Sequence, residues 1–207
     1  MRWAGAATVA LVLAAAGCGG GSSSSPTHGG TSASAPPTAS SPTAAPAAAG
    51  RCVPGRLTPQ QTEGPFYKAG SPERERVDQG ATGQALVLEG RVLSAQCRPV
   101  AHARMEFWQA DGRGSYDNAG YRLRGHEFTD AAGRYRLTTV YPGLYTGRTR
   151  HIHVKVQPAG GPSLTTQLYF PGEPRNASDG IFTPATVVSL TRGRPAWTAR
   201  FDFVVSS

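Results

Sequence analysis

From Ala85 onward, apolar and polar positions alternate in short runs. Ala85–Ala95, ALVLEGRVLSA, sets apolar residues against small or polar ones at every second position, the pattern of a strand with one face on a core. Ala103–Ala110 puts Met105 and Phe107 on one face and Glu106 and Trp108 on the other. Gly133–Val140 sets Tyr135, Leu137 and Thr139 against Arg134, Arg136 and Thr138. His151–Val156, Leu164–Phe170 and Ala199–Val205 alternate too, the last with Phe201, Phe203 and Val205. Gly, Pro and Asp separate these runs, and no stretch sustains a 3.6-residue stripe. The pattern predicts an all-β domain, an antiparallel β-sandwich or barrel with long loops. One short helical turn is expected in LTPQQTEG, with Thr58 as its cap and Pro59 following.

The residues before this domain read differently. Met1-Arg2, an apolar run from Trp3 to Ala16 and Gly17-Cys18 form the pattern of a secretory signal peptide over residues 1–17. The run is too short to span a bilayer as a mature helix. AAGC, ending at Cys18, resembles a bacterial lipobox, with Ala15 where Leu is usual. The expectation is cleavage before Cys18, lipidation of that cysteine and anchoring on the outer face of the cell membrane, with plain secretion as the alternative. From Gly19 to Gly50 only Gly, Ser, Pro, Thr and Ala occur, apart from His28. Such a stretch cannot build a core, so residues 18–50 are expected to be a lipidated, disordered tether. Residues 51–207 remain as one folded domain, long enough to bury most of its apolar surface.

Cys52 and Cys97 are the domain's two cysteines. In an oxidising exterior they are expected to form a disulfide tying the N-terminal segment to the first hairpin. The net charge of +8 comes almost entirely from arginine and suits anionic wall polymer or lipid headgroups. Scattered arginines, no binding motif and an export signal exclude nucleic acid as a partner.

The chemistry concentrates in YTGRTRHIHVKV, Tyr145–Val156. Residues i and i+2 of a strand share a face. His151 and His153 therefore leave one face together, while Ile152, Val154 and Val156 face the core. Taken alone, His-x-His is weak evidence for a metal pair, since histidine is also a common polar surface residue. Tyr145 follows Pro142-Gly143 just upstream, and Tyr116 lies in the Gly-rich WQADGRGSYDN. The domain offers no cysteine pair for zinc and no carboxylate cluster for calcium or magnesium. Two imidazoles with two phenolates would make a donor set that suits Fe(III) better than Zn(II) or Fe(II). Such a cation would hold both tyrosines ionised far below their free pKa near 10. Tyr121 lies close to Tyr116 and is a rival for the first tyrosine position. GRVLSAQCRPVAHARMEFWQ with TDAAGRYRLTTVYPGLY also resembles prealbumin-like sandwich modules, which use such turns for structure alone.

Trp108 followed by GSYD, then LRGHEFTDAAGRYRLTTVYPGLYTGRTRHIHVKV, then LTTQLYFPGE, resembles the intradiol ring-cleavage dioxygenases in the right order. TEGPFY at Thr62–Tyr67 resembles their N-terminal segment. The chain is most similar to short exported members that lack an N-terminal helical dimerisation domain. The resemblance implies one Fe(III) per chain, held by Tyr116, Tyr145, His151 and His153, with Tyr145 leaving when substrate binds. It implies a catalytic Arg148, a supporting Gln167, and Pro65 and Tyr67 at the mouth of the substrate pocket. It implies a catechol and O2 as substrates, cleavage between the hydroxyl-bearing carbons, and muconate-type diacid products. Thr149-Arg150 departs from the Pro-Ala often found there and would set a charge near the pocket. With Arg148, that charge would favour carboxylated catechols. The alternative is a non-catalytic surface sandwich that binds iron, catechols or carbohydrate. Neither the oligomeric state nor the particular catechol can be read from these residues.

Overall fold

The computed structural model describes residues 52–207, so the expected signal peptide, Cys18 and the tether lie outside the described residues. Nine strands follow in order: β1 (Ala85–Ser94), β2 (Arg104–Trp108), β3 (Arg124–Phe128), β4 (Arg134–Val140), β5 (His151–Gln157), β6 (Leu164–Tyr169), β7 (Ser189–Thr191), β8 (Trp197–Arg200) and β9 (Phe203–Val205). They form two sheets. One runs β4-β1-β8-β7, with β9 also on β1; the other runs β3-β2-β5-β6. Between them lies a continuous apolar core. Leu86, Leu88, Leu137, Phe203 and Val205 come from the first sheet, and Met105, Phe107, Ile152, Val154, Val156 and Leu168 from the second. The alternation that marks these strands in the sequence is the alternation that fills this layer. Among the described residues no helix is long and apolar enough to cross a membrane.

Two local expectations are corrected, and the expected disulfide is present. LTPQQTEG is extended rather than helical. Its backbone serves other strands: Thr58 N–H donates to the Val204 carbonyl (2.9 Å) and Gln61 N–H to the Thr165 carbonyl (2.8 Å). Tertiary pairing overrides a favourable helical start here. The run Ala199–Val205 is two strands broken at Phe201-Asp202. Both pair with β1 in parallel, so the first sheet is mixed rather than purely antiparallel. Cys52 and Cys97 are joined, with their Cα atoms 5.8 Å apart, which fastens the start of the extended segment to the turn after β1.

The outer face of the second sheet positions the site. Register places Arg124, Trp108, His153 and Gln167 in one row across β3, β2, β5 and β6. All four are buried although they point away from the core. The extended segment Thr58–Tyr67, the loop between β2 and β3, and the segment after β6 lie over this face.

Candidate metal centre

His151 and His153 both project from β5 onto the covered face, at 3% and 1% exposure. Their Nε2 atoms stand 3.1 Å apart. His151 Nδ1 lies 2.7 Å from the Thr149 carbonyl. Donation to that carbonyl fixes the proton on Nδ1 and leaves the Nε2 lone pair facing His153. Burial, opposed by the Thr149 hydrogen bond and aided by the charge of Arg148, lowers the His151 pKa to about 4. Burial, then the neighbouring His151, holds His153 well below the usual imidazole range. Both rings are therefore neutral at pH 7, the state in which imidazole binds metal.

Trp108 lies flat on His153, with centroids 4.8 Å apart and planes 7° apart. Gly64 lies against the Cε1–Nε2 edge of the same ring. Its φ is +73°, and a Cβ there would come within 3.2 Å of His153 Cε1. The glycine of TEGPFY thus lets the backbone pass close to the imidazole.

Two tyrosines close the cluster. Tyr116 and Tyr145 meet edge to face at 5.5 Å, and Tyr145 stands 5.5 Å from His151. Their loops interlock through the backbone. Gly143 N–H donates to the Asp111 carbonyl at 2.7 Å, and a Cβ on Gly114, at φ +86°, would collide with the Leu144 carbonyl. This close approach explains why the Tyr116 loop is rich in glycine. Phe66 stacks on Tyr116 at 4.2 Å. The Tyr116 hydroxyl is buried and has no hydrogen-bond partner among the described residues. Burial, reinforced by Tyr145, raises its pKa above the usual phenol value.

A metal ion fits these observations. A buried, unpartnered phenol beside two converging imidazole nitrogens is costly unless a cation draws on all of them. Among the described residues no group of three His, Cys, Asp or Glu could hold a metal. Any metal here must therefore take tyrosine oxygen, a hard anionic donor that suits a ferric ion. Tyr121 sits elsewhere, with its hydroxyl donating to the Ala69 carbonyl at 2.9 Å.

Arg148 reaches the cluster from the turn before β5. Its Nη1 lies 3.4 Å from the Tyr145 hydroxyl, and its Nη2 donates to Gln167 Oε1 at 2.6 Å. Gln167 is buried rather than on a solvent face, and its Nε2 donates to the Thr62 carbonyl at 2.9 Å. Pro65 and Tyr67 line a cleft of about 360 Å³ with Phe66, Lys68, Asn118 and Arg124. Tyr67 also packs on Trp108 and donates to Glu106.

Comparison with known proteins agrees with this geometry. A family model described as Dioxygenase (Dioxygenase_C) matches residues 62–203. The chain belongs to the intradiol ring-cleavage dioxygenase family. A catechol 1,2-dioxygenase 2 of Acinetobacter lwoffii is 33% identical over 68% of this chain and 64% of its own. A hydroxyquinol 1,2-dioxygenase of Rhodococcus opacus is 32% identical over 58% of this chain and 48% of its own. The chain thus spans about half to two thirds of the length of the curated relatives it matches. Among solved structures, the dioxygenase domain of a dioxygenase carbohydrate-binding protein fusion from Streptomyces sp. SirexAA-E is 47% identical. It superposes with a TM-score of 0.71 over 73% of this chain and 99% of that domain. Catechol 1,2-dioxygenase from Acinetobacter sp. ADP1 gives a TM-score of 0.66 at 27% identity, over 72% of this chain and 62% of that one.

Within this intradiol domain, some residues at the site carry no local sequence signal. Trp108 and Phe66 enter the sequence reading only as parts of the resemblance, yet Trp108 stacks on His153 and Phe66 on Tyr116. Asp179 lies in a turn 31 residues after Arg148, and its carboxylate accepts Arg148 Nε at 2.8 Å. The expected charge of Arg150 near the pocket is corrected. Arg150 is tied to Glu173 (3.1 Å) and the Pro142 carbonyl (2.6 Å) and lies over Tyr141, away from the histidine–tyrosine cluster. Arg150 is thus engaged by Glu173 rather than free.

Proposed function

We propose that this domain is a ferric, non-haem dioxygenase that cleaves catechol-type aromatics between the two hydroxyl-bearing carbons, giving muconate-type diacids. One observation carries the reading. His151 and His153 converge at 3.1 Å beside Tyr145, which meets Tyr116 edge to face, and the Tyr116 hydroxyl is buried and unpartnered among the described residues. These four residues would hold the metal, one ion per chain. A bound ferric ion would supply Lewis acidity toward the catechol hydroxyls and open the ring to O2 without a nicotinamide or flavin.

The two tyrosines are built for different tasks. Tyr116 is wedged against Phe66. Tyr145 stands beside exposed Thr146 and Gly147, and a Cβ on Gly147 would meet nothing within 4 Å. Tyr145 can therefore swing out, and its oxygen can take a proton from an incoming catechol hydroxyl. Arg148 stays behind, with its guanidinium fixed on Gln167 and Asp179, where it can stabilise negative charge that develops on the substrate. Trp108, Gly64 and Phe66 exclude water from the imidazole and phenol faces.

Purified protein loaded with ferric ion should be red-brown from tyrosinate charge transfer and should consume O2 with catechol. A colourless, iron-free sample after ferric reconstitution would sink this reading. We further propose that the domain works outside the cell, tethered through lipidated Cys18. The pattern from Met1 to Cys18 and the composition of Gly19–Gly50 support this. Cys18→Ser should release the protein from membranes into the medium, and an unchanged membrane fraction would count against the anchor.

A further inference from the structure

Asp179 is almost wholly buried, and its side chain is 1% exposed against 17% for its partner Arg148. Its Oδ2 accepts two donors, Arg148 Nε and Thr149 N–H, each at 2.8 Å. Its Oδ1 accepts Ile181 N–H at 3.2 Å. Each of these donors leads back to the cluster. The guanidinium of Arg148 faces Tyr145, and the Thr149 carbonyl takes the Nδ1 proton of His151. The Ile181 carbonyl accepts the hydroxyl of Tyr169, whose register partner is His151.

Geometry shows what this arrangement does. The guanidinium of Arg148 is held on two edges, by Asp179 through Nε and by Gln167 through Nη2. That leaves Nη1 as the corner presented to Tyr145 and to whatever replaces it. Gln167 and the Tyr169 hydroxyl, 3.5 Å away, are neutral contacts on the same Nη2 and leave the opposite edge of the fork free to pivot. A carboxylate on Nε fixes the plane of the fork. Arg148 also sits in a turn between two exposed residues and β5, so its backbone does not define its head group. We infer that Asp179 is the positioning residue of the site, locking Arg148 so that its free edge meets the substrate oxygen that takes the place of Tyr145. The inference rests on the ferric dioxygenase reading. It concerns a residue that no sequence signal marks.

The test has two arms. In the first, hydrogen exchange of the Arg148 side-chain Nε–H is followed by 15N NMR in metal-free protein. Exchange should be slow in the wild type and fast in Asp179→Asn, which keeps one acceptor oxygen for the Thr149 amide. In the second arm, iron-loaded Asp179→Asn should keep its iron and its visible band and lose roughly 10- to 100-fold in kcat, as a misplaced charged group does. KM should stay within about threefold, because the lost contact acts after substrate binds. Adding Asp179→Asn to Arg148→Ala should cost less than about twofold more, because the two act as one unit. If Asp179→Asn does not fold, Asp179→Glu replaces it, with faster exchange and lower kcat expected. Retained Nε–H protection, or two kcat losses that multiply, would overturn the inference. A wild type that takes up no iron would instead remove the dioxygenase reading, while the exchange arm still reports on Asp179.

Discussion

The indole of Trp108 and the imidazole of His153 lie face to face, 4.8 Å between centroids and 7° between planes, on neighbouring strands of one sheet. The pair joins packing to the proposed metal centre, because the same contact fills a buried volume and fixes a ring. Trp108→Ala should destabilise the domain by about 3–5 kcal/mol and lower its affinity for iron. Trp108→Phe should recover much of the stability. Urea unfolding with and without ferric ion separates the two effects. A variant that loses stability but binds iron like the wild type would show that the stack serves packing alone.

The four cluster residues should not respond alike. His153→Ala and Tyr116→Phe each remove a donor from a rigid, buried position, and iron content should fall by roughly 10-fold or more, the size expected when a metal site is damaged. Tyr145→Phe alters the one donor on a loose turn. It should retain more iron than Tyr116→Phe, with a shifted visible band and a large loss of activity. Elemental analysis of the purified variants decides this. Full iron and full activity in both Tyr145→Phe and His153→Ala would mean that the ligands are elsewhere.

Glu127, on β3, sets a pH dependence away from the site. Burial, only partly offset by the Arg136 amide, raises its carboxyl pKa from an ordinary 4.5 to about 7, and Glu75 adds to the rise. The folded protein therefore holds this proton more tightly than the unfolded chain does. The resulting stability is fully present below about pH 4.5 and is lost as pH rises through about 7. Glu127→Gln should remove the dependence. Relative to the variant, the wild type should lose on the order of 2 kcal/mol between pH 5 and pH 8. Parallel urea midpoints for the two proteins across that range would contradict the assignment.

Cys52 and Cys97 close a loop with a sequence separation of 45. Replacing both with serine should cost about 2–4 kcal/mol. The same change should loosen the segment that runs from Cys52 to Gly64 over His153, so ferric ion should leave faster. Iron release to a chelator, with and without reductant, measures this. Equal release rates would show that Thr58 and Gln61 hold the segment without help.

Much of the domain was legible because its strands alternate strictly. The period-two run at β5 places His151 and His153 on one face, and the same run assigns Ile152, Val154 and Val156 to the core. The resemblance favours Tyr116 over Tyr121, and the structure adds the reason. Both follow the same loop, and only the interlock of Gly114 with Leu144 turns Tyr116 inward. Asp179 was not legible for a related reason. Its meaning lies wholly in a contact with Arg148, and a lone Asp in a turn reads as turn chemistry. The false helix at Thr58 is the reverse case, since its local signal is sound but β6 and β9 claim its backbone.

The cover over the imidazoles comes from the beginning of the domain, and the strand that fixes Gln167 comes from near its end. During synthesis the segment Thr62–Tyr67 leaves the ribosome about a hundred residues before β6. Until then the sheet it lies on lacks the strand that carries Gln167, and the Gln61 N–H has no Thr165 carbonyl to meet. The cover over His153 is thus fastened at Gln61 only once β6 is in place, so the first residues of the domain are among the last to be secured.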